Sequence, residues 1–195
     1  MEENIVENIR IERLTRIHGL RFIAVWVNKL MVYLGKLLFK WGYLSEITEV
    51  DSLTGLFTRN FFERWSEVIM AQALRVEIPL SFVMIDLDGL KKTNDQDGHK
   101  AGDKLIRRMA RSLVRHTRKS DVVIRLGGDE FVVILWNCNY EGALKIMEKH
   151  LARMEKKEVN FSFGICEWRK GSNVAAVMRE ADELMYEMKR ERKRK

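Results

Sequence analysis

Two short apolar runs constrain this chain most: Val-Val-Ile-Arg-Leu over 122–126 and Phe-Val-Val-Ile-Leu over 131–135, separated by Gly127-Gly128-Asp129-Glu130. β-Branched and aromatic residues on both sides of a Gly-Gly step specify two antiparallel strands joined by a tight turn. An isolated hairpin buries too little apolar surface to be stable in water, so further strands are needed. The flanking sequence supplies them: 80–86 and 159–167 read as strands, and 58–76, 99–118, 140–155 and 173–190 read as helices. In the helix over 99–118, Leu105, Ile106, Met109, Leu113 and Val114 form the expected apolar face. At the start of the helix over 58–76, Asn60 and Glu63 have the spacing of a capping box. From residue 80 onward the order is β-α-β-β-α-β, the split βαβ arrangement of ferredoxin-like sheets. The expected fold is α/β (α+β): a ferredoxin-like palm whose central, mainly antiparallel sheet carries flanking helices and is preceded by an N-terminal helix.

A chain of 195 residues, 46% of them hydrophobic, accommodates one well-packed domain and a short extension. The boundary is expected at 44/45, with a helical extension over 1–44 and the main domain over 45–195. Cys138 and Cys166 are too few for a disulfide framework and sit in apolar runs. They read as small core residues of a protein in a reducing cytosol. Of the net charge of +7, residues 1–44 carry +3 and 189–195 carry +5, which leaves −1 for the remainder. A near-neutral body gives no reason to expect a nucleic-acid partner.

Residues 20–44 are long enough to span a bilayer but contain Lys29, Lys36 and Lys40. On a helix these three fall within about 40° of one another. Each costs about 2.5–3.5 kcal/mol to insert, against about 0.3–0.6 returned per apolar residue. The sums nearly cancel, so the expectation is an amphipathic helix that lies on a membrane surface or pairs with its twin. That implies a cytoplasmic protein, peripheral to the inner face of the cell membrane.

Chemistry concentrates in the carboxylates. Asp86 and Asp88 close the apolar run Ser-Phe-Val-Met-Ile-Asp-Leu-Asp, and strand alternation puts them on one face. Asp129 and Glu130 follow the two glycines of the hairpin. If the hairpin lies beside the Asp86 strand, three or four carboxylates converge, and hard oxygen donors favour Mg²⁺. Carboxylate-held Mg²⁺ beside a glycine turn suits phosphoryl transfer. The competing reading of the same residues is a solvated acidic turn next to strand-end aspartates.

Five ordered motifs extend this reading. Arg125-Leu126-Gly127-Gly128-Asp129-Glu130-Phe131 resembles the signature of GGDEF diguanylate cyclases. Asp51-Ser52-Leu53-Thr54-Gly55-Leu56 with Arg59 resembles the motif that opens the domain. Asp86-Leu87-Asp88-Gly89-Leu90-Lys91, Asn94-Asp95, Gly98-His99 and Gly102-Asp103 resemble its DxDxFKxxND…GHxxGD segment. Ser162-Phe163-Gly164, and then Ala181-Asp182, Tyr186 and Lys189, resemble its last strand and helix. The resemblance covers roughly 50–193.

The resemblance implies an enzyme that condenses two GTP into cyclic di-GMP and works as a homodimer; the alternative is a non-catalytic receptor for GTP or cyclic di-GMP. Asp86, Asp129 and the Leu87 carbonyl would hold two Mg²⁺ ions, with Mn²⁺ as a substitute, and Glu130 would be the other essential carboxylate. Asn94 and Asp103 would read guanine; Leu90, Lys91 and Lys189 would cradle the triphosphate. Arg118 and Asp121 match an RxxD site at which cyclic di-GMP inhibits its own synthesis. The chain departs from the family at Leu90, where a phenylalanine is usual, and in its last residues, where Lys193 replaces an arginine and a glycine is missing.

Overall fold

The computed structural model describes residues 49–194, so the helix expected over 20–44 lies outside the described part. The elements are β1 (Phe57–Thr58), α1 (Arg59–Arg75), β2 (Leu80–Leu87), α2 (Leu90–Asp97), α3 (His99–His116), β3 (Val122–Gly127), β4 (Glu130–Trp136), α4 (Tyr140–Glu155), β5 (Phe161–Glu167) and α5 (Val174–Arg194). The sheet order is β1-β3-β4-β2-β5. Only β1 and β3 are parallel; the other pairs are antiparallel. The expected palm is present, with β1 as an added edge strand.

All eight residues of β2 are buried, because helices cover both faces of the sheet. Val83, Ile85 and Leu87 face Ile106, Met109 and Leu113 of α3 and Ala143 and Met147 of α4. Leu80, Phe82 and Met84 face Phe62, Met70 and Ala73 of α1 and Val177, Ala181 and Met185 of α5. A strand covered on both faces needs apolar residues at every position, which explains the unbroken run read from the sequence. Its last member on the α5 side is Asp86. Cys138 and Cys166 are both buried and free. Among the described residues no helix is long and apolar enough to cross a membrane.

Two local expectations are corrected, and one helix is added. Phe57 and Thr58 pair with Ile124 and Arg125, so α1 starts at Arg59 and Asn60 lies inside its first turn, with no capping box. The buried stripe of α3 is Ile106, Met109, Ala110 and Leu113; Val114 is rotated past it and is 54% exposed. Residues 90–97 form a separate helix, α2, which pairs with α3.

α4 carries a buried histidine. His150 is 1% exposed, and its Nε2 is 2.8 Å from Ser112 Oγ. Its ring packs 5.0 Å from Phe161 and 5.1 Å from His116. Burial, assisted by His116 and Arg153, pushes its pKa from 6.5 down to about 4. The folded chain therefore keeps His150 neutral at pH values where the unfolded chain has already bound a proton. The stability this contributes is complete above pH 6.5 and is lost as pH falls towards 4, about 3 kcal/mol in all. Urea midpoints measured from pH 7 to pH 4 should fall more steeply for the wild type than for His150→Leu. Parallel curves would remove His150 as the source of acid sensitivity.

Candidate active site

Strand pairing assembles the carboxylates. Asp86 lies opposite Glu130 on one side and Ser162 on the other. The Leu87 amide donates to the Asp129 carbonyl at 3.0 Å, tying the end of β2 to the hairpin apex. Asp88 continues the face of Asp86 towards α5, as alternation predicts. Lys189 Nζ donates to Asp86 Oδ1 at 2.6 Å, and Ser162 Oγ donates to Asp88 Oδ2 at 3.1 Å. One helical turn beyond Lys189, Arg192 Nε stands 3.8 Å from Asp88. The result is a cleft of about 500 Å³ whose walls include Leu90, Lys91, Asp129, Lys189, Arg192 and Lys193.

The electrostatics are those of a site with surplus negative charge at its floor. Burial raises the Asp86 pKa, and the neighbouring Asp129 and Asp88 charges add to it despite Lys189. Burial also raises the Glu130 pKa, with Asp129 and Asp86 adding and Arg59 opposing at 3.7 Å. Burial acts to lower the Lys189 pKa, but its bond to Asp86 and the charges of Asp88 and Asp129 outweigh that and raise it. Among the described residues no three acidic, histidine or cysteine side chains stand close enough to cage a metal by themselves. Mg²⁺ commonly takes one or two carboxylates and fills its octahedron with waters and substrate phosphates. Asp86 and Asp129, whose charges act on one another, would be donors of that kind together with the Leu87 carbonyl.

The hairpin is braced from the start of the domain. Arg125 Nη1 donates to both Asp51 oxygens, at 3.0 and 3.1 Å, and Arg125 Nη2 donates to the Gly128 carbonyl at 2.8 Å. Asp51 in turn accepts from the Thr54 amide at 2.9 Å. Burial acts to raise the Asp51 pKa, but the bonds from Thr54 and Arg125 overcome it and hold the carboxylate below its ordinary range. Arg59 Nε donates to the Leu126 carbonyl at 3.2 Å from the other side.

Asn94 packs against Gly102, the residue before Asp103, where α2 packs on α3. A Cβ at Gly102 would overlap Asn94 Oδ1, so only glycine admits the amide at the turn that carries Asp103. Asn94 Oδ1 is buried without a hydrogen-bond partner. Buried polar atoms normally have one, so the Asn94 amide carries an unmet acceptor here. Asp103 is 45% exposed, 3.9 Å from Arg107. Arg118 and Asp121 are not brought into this group: they lie in the α3–β3 connection, at the opposite end of β3 from the hairpin apex. The Asp121 carboxylate accepts from the Arg118 amide at 2.7 Å and the Trp136 amide at 3.2 Å, which leaves the exposed Arg118 side chain facing outward.

Residues 48–195 match the family described as "Diguanylate cyclase, GGDEF domain". The chain belongs to the GGDEF family. The probable diguanylate cyclase DgcJ of Escherichia coli is 33% identical over 140 residues, which are 70% of this chain and 28% of DgcJ. The response regulator PleD of Caulobacter vibrioides is 32% identical over 156 residues, 74% of this chain and 34% of PleD. The chain thus spans about a third or less of these relatives. Among solved structures, the GGDEF domain of YfiN from Pseudomonas aeruginosa is 33% identical, with a TM-score of 0.67 over 73% of this chain and 89% of that one. The GGDEF domain of DgcB from Caulobacter crescentus, solved with cyclic di-GMP, is 25% identical, with a TM-score of 0.70 over 74% and 92%.

Within this GGDEF domain, sequence reasoning missed Arg59, Arg125 and Arg192 as working parts of the site. Arg192 left a signal, since it follows Lys189 by one helical turn. Arg125 and Arg59 stand in two of the motifs, but their contacts left no signal, because the partners lie 74 and 67 residues away along the chain.

Proposed function

We propose that this chain is a diguanylate cyclase: it joins two GTP molecules into cyclic di-GMP and releases pyrophosphate. The observation that carries the proposal is the meeting of Asp86 with the Asp129–Glu130 hairpin beside the lysine-walled cleft. Asp86, Asp129 and the Leu87 carbonyl hold the divalent cations, Mg²⁺ or Mn²⁺. When bound, these neutralise phosphate charge and raise the electrophilicity of the α-phosphorus. Lys189 and Lys91 bind the triphosphate with the Leu90 backbone, and Lys193 serves where the family has arginine. Glu130 is the other essential carboxylate, near the metals or the attacking ribose 3′-hydroxyl. Each domain holds one GTP, so two copies face each other as a homodimer. The domain works in the cytosol, with residues 20–44 against the membrane's inner face or against their twin. Incubating the purified chain with GTP and Mg²⁺ should yield cyclic di-GMP and pyrophosphate. Binding without turnover would make it a receptor module instead.

Guanine is read by Asn94 and Asp103. The unpartnered Asn94 Oδ1 accepts from the base edge, and the Asp103 carboxylate accepts from two guanine N–H groups, a donor pair adenine lacks. Leaving such an acceptor unpaired costs about 1–3 kcal/mol. Asn94→Ala or Asp103→Ala should therefore raise the KM for GTP and narrow its preference over ATP by about tenfold or more. Unchanged selectivity in both variants would remove this assignment and leave the cyclase proposal standing.

Feedback acts through Arg118 and Asp121. The hydrogen bonds of Asp121 present Arg118 to solvent, where its guanidinium can bind product phosphate and guanine. Arg118→Ala should raise the cyclic di-GMP concentration needed for half-inhibition at least about tenfold, and equal inhibition curves would show the pair to be a surface turn only.

A further inference from the structure

A second, larger cleft of about 890 Å³ is lined by residues of both α2 and α3. Lys104, Arg108 and Arg111 follow one another at intervals of four and three residues, so they share one face of α3. Lys92 reaches the same cleft from α2, and Thr93 and Gln96 add polar groups. The arrangement differs from the paired cations elsewhere in the domain. Arg59, Arg64, Arg107, Arg125, Lys189 and Arg192 all stand within 4 Å of a carboxylate. None of the four cleft cations forms an ion pair or hydrogen bond with the described residues. The cleft has two acidic residues, and Asp88 is already engaged by Ser162 and Arg192. Only Glu158 remains against four positive charges.

The cleft is also continuous with the lysine-walled one: Asp88, Gly89 and Asn160 line both. We propose that the α2–α3 cleft is a second anion site that binds a chain of two or three phosphates. Multidentate phosphate recognition needs several cations converging from more than one element, and a single exposed lysine does not supply it. Two sources fit this chemistry: free pyrophosphate, and the phosphate tail of a nucleotide. The inference goes beyond the cyclase proposal, and binding at this cleft can be read without turnover.

The test is calorimetric titration of the full chain with inorganic pyrophosphate in metal-free buffer containing 150 mM KCl. Two sites per chain are expected. Lys189→Ala should abolish one of them, and Arg108→Gln with Arg111→Gln should weaken the other at least tenfold, at an unchanged thermal midpoint. Should the double variant lose stability, Lys104→Gln with Lys92→Gln gives the same reading from the cleft's other residues. Repeating the titration with GTP and with guanosine separates the sources. Competition by GTP, with none by guanosine, assigns the nucleotide tail; displacement by pyrophosphate alone assigns the free anion. A single pyrophosphate site, lost in Lys189→Ala and untouched by both double variants, would overturn the inference. Cyclase activity that fails in the same preparation would not, because the two sites are read separately.

Discussion

Asp129→Ala and Glu130→Ala are each expected to lower cyclic di-GMP formation at least about 100-fold, on the order of 3 kcal/mol in barrier, while the domain stays folded. The second half of that expectation comes from the backbone. The hairpin is held by the β3–β4 ladder, by Arg125 on the Gly128 carbonyl and by the Asp129 carbonyl on the Leu87 amide. None of these uses the two carboxylates. Their removal also relieves repulsion, since the Asp129 charge helps to raise the pKa of both Asp86 and Glu130. The melting temperature of Asp129→Ala should therefore equal or slightly exceed that of the wild type. Chromatographic quantification of product from GTP, alongside thermal melts, tests both halves. A variant that kept more than about a tenth of the wild-type rate would disprove the role assigned to its residue. A variant that unfolded would show that the carboxylates also serve the fold.

The sequence made the palm legible wherever burial was two-sided. The strands β2, β4 and β5 are largely apolar runs because helices cover both faces of the sheet, and that demand leaves a mark at nearly every position. Asp86 and Asp88 were legible as a same-face pair for the same reason, since alternation is a local geometric fact. Elements with little burial left no such mark. α2 buries only Leu90, so Lys-Lys-Thr-Asn-Asp-Gln-Asp shows no helical period. β1 is two residues long and exists through its pairing with β3. The supports of the site were hidden for a further reason. Asp51 and Arg125 each have an ordinary surface identity, and their bidentate contact arises when the turn at the start of the domain folds back on β3. The unpartnered Asn94 oxygen was likewise invisible, because it depends on α2 and α3 packing across Gly102.

Gly164→Ala should produce the largest stability loss of any single methyl added to this domain, about 3 kcal/mol, at the upper end of overpacking costs. A Cβ at residue 164 would overlap the Ala181 carbonyl oxygen and the Met185 amide nitrogen, both backbone atoms of α5. A flexible side chain could swing away, but a helix backbone can yield only by moving as a unit. Moving α5 off β5 separates Ala181 and Met185 from the core face built on Phe82 and Met84. It also draws Lys189 away from Asp86, whose buried carboxylate then has no cation beside it. Stability and triphosphate binding should therefore fall together, as a lower urea midpoint and a raised KM for GTP. A second substitution separates the backbone explanation from a side-chain one. Leu184 Cβ is the third atom near the added methyl, so Leu184→Ala should not restore the midpoint of Gly164→Ala if the helix backbone is the obstacle. Rescue by Leu184→Ala, or a loss below about 1 kcal/mol, would mean that α5 does not depend on the bare backbone of residue 164 for its seat on the sheet.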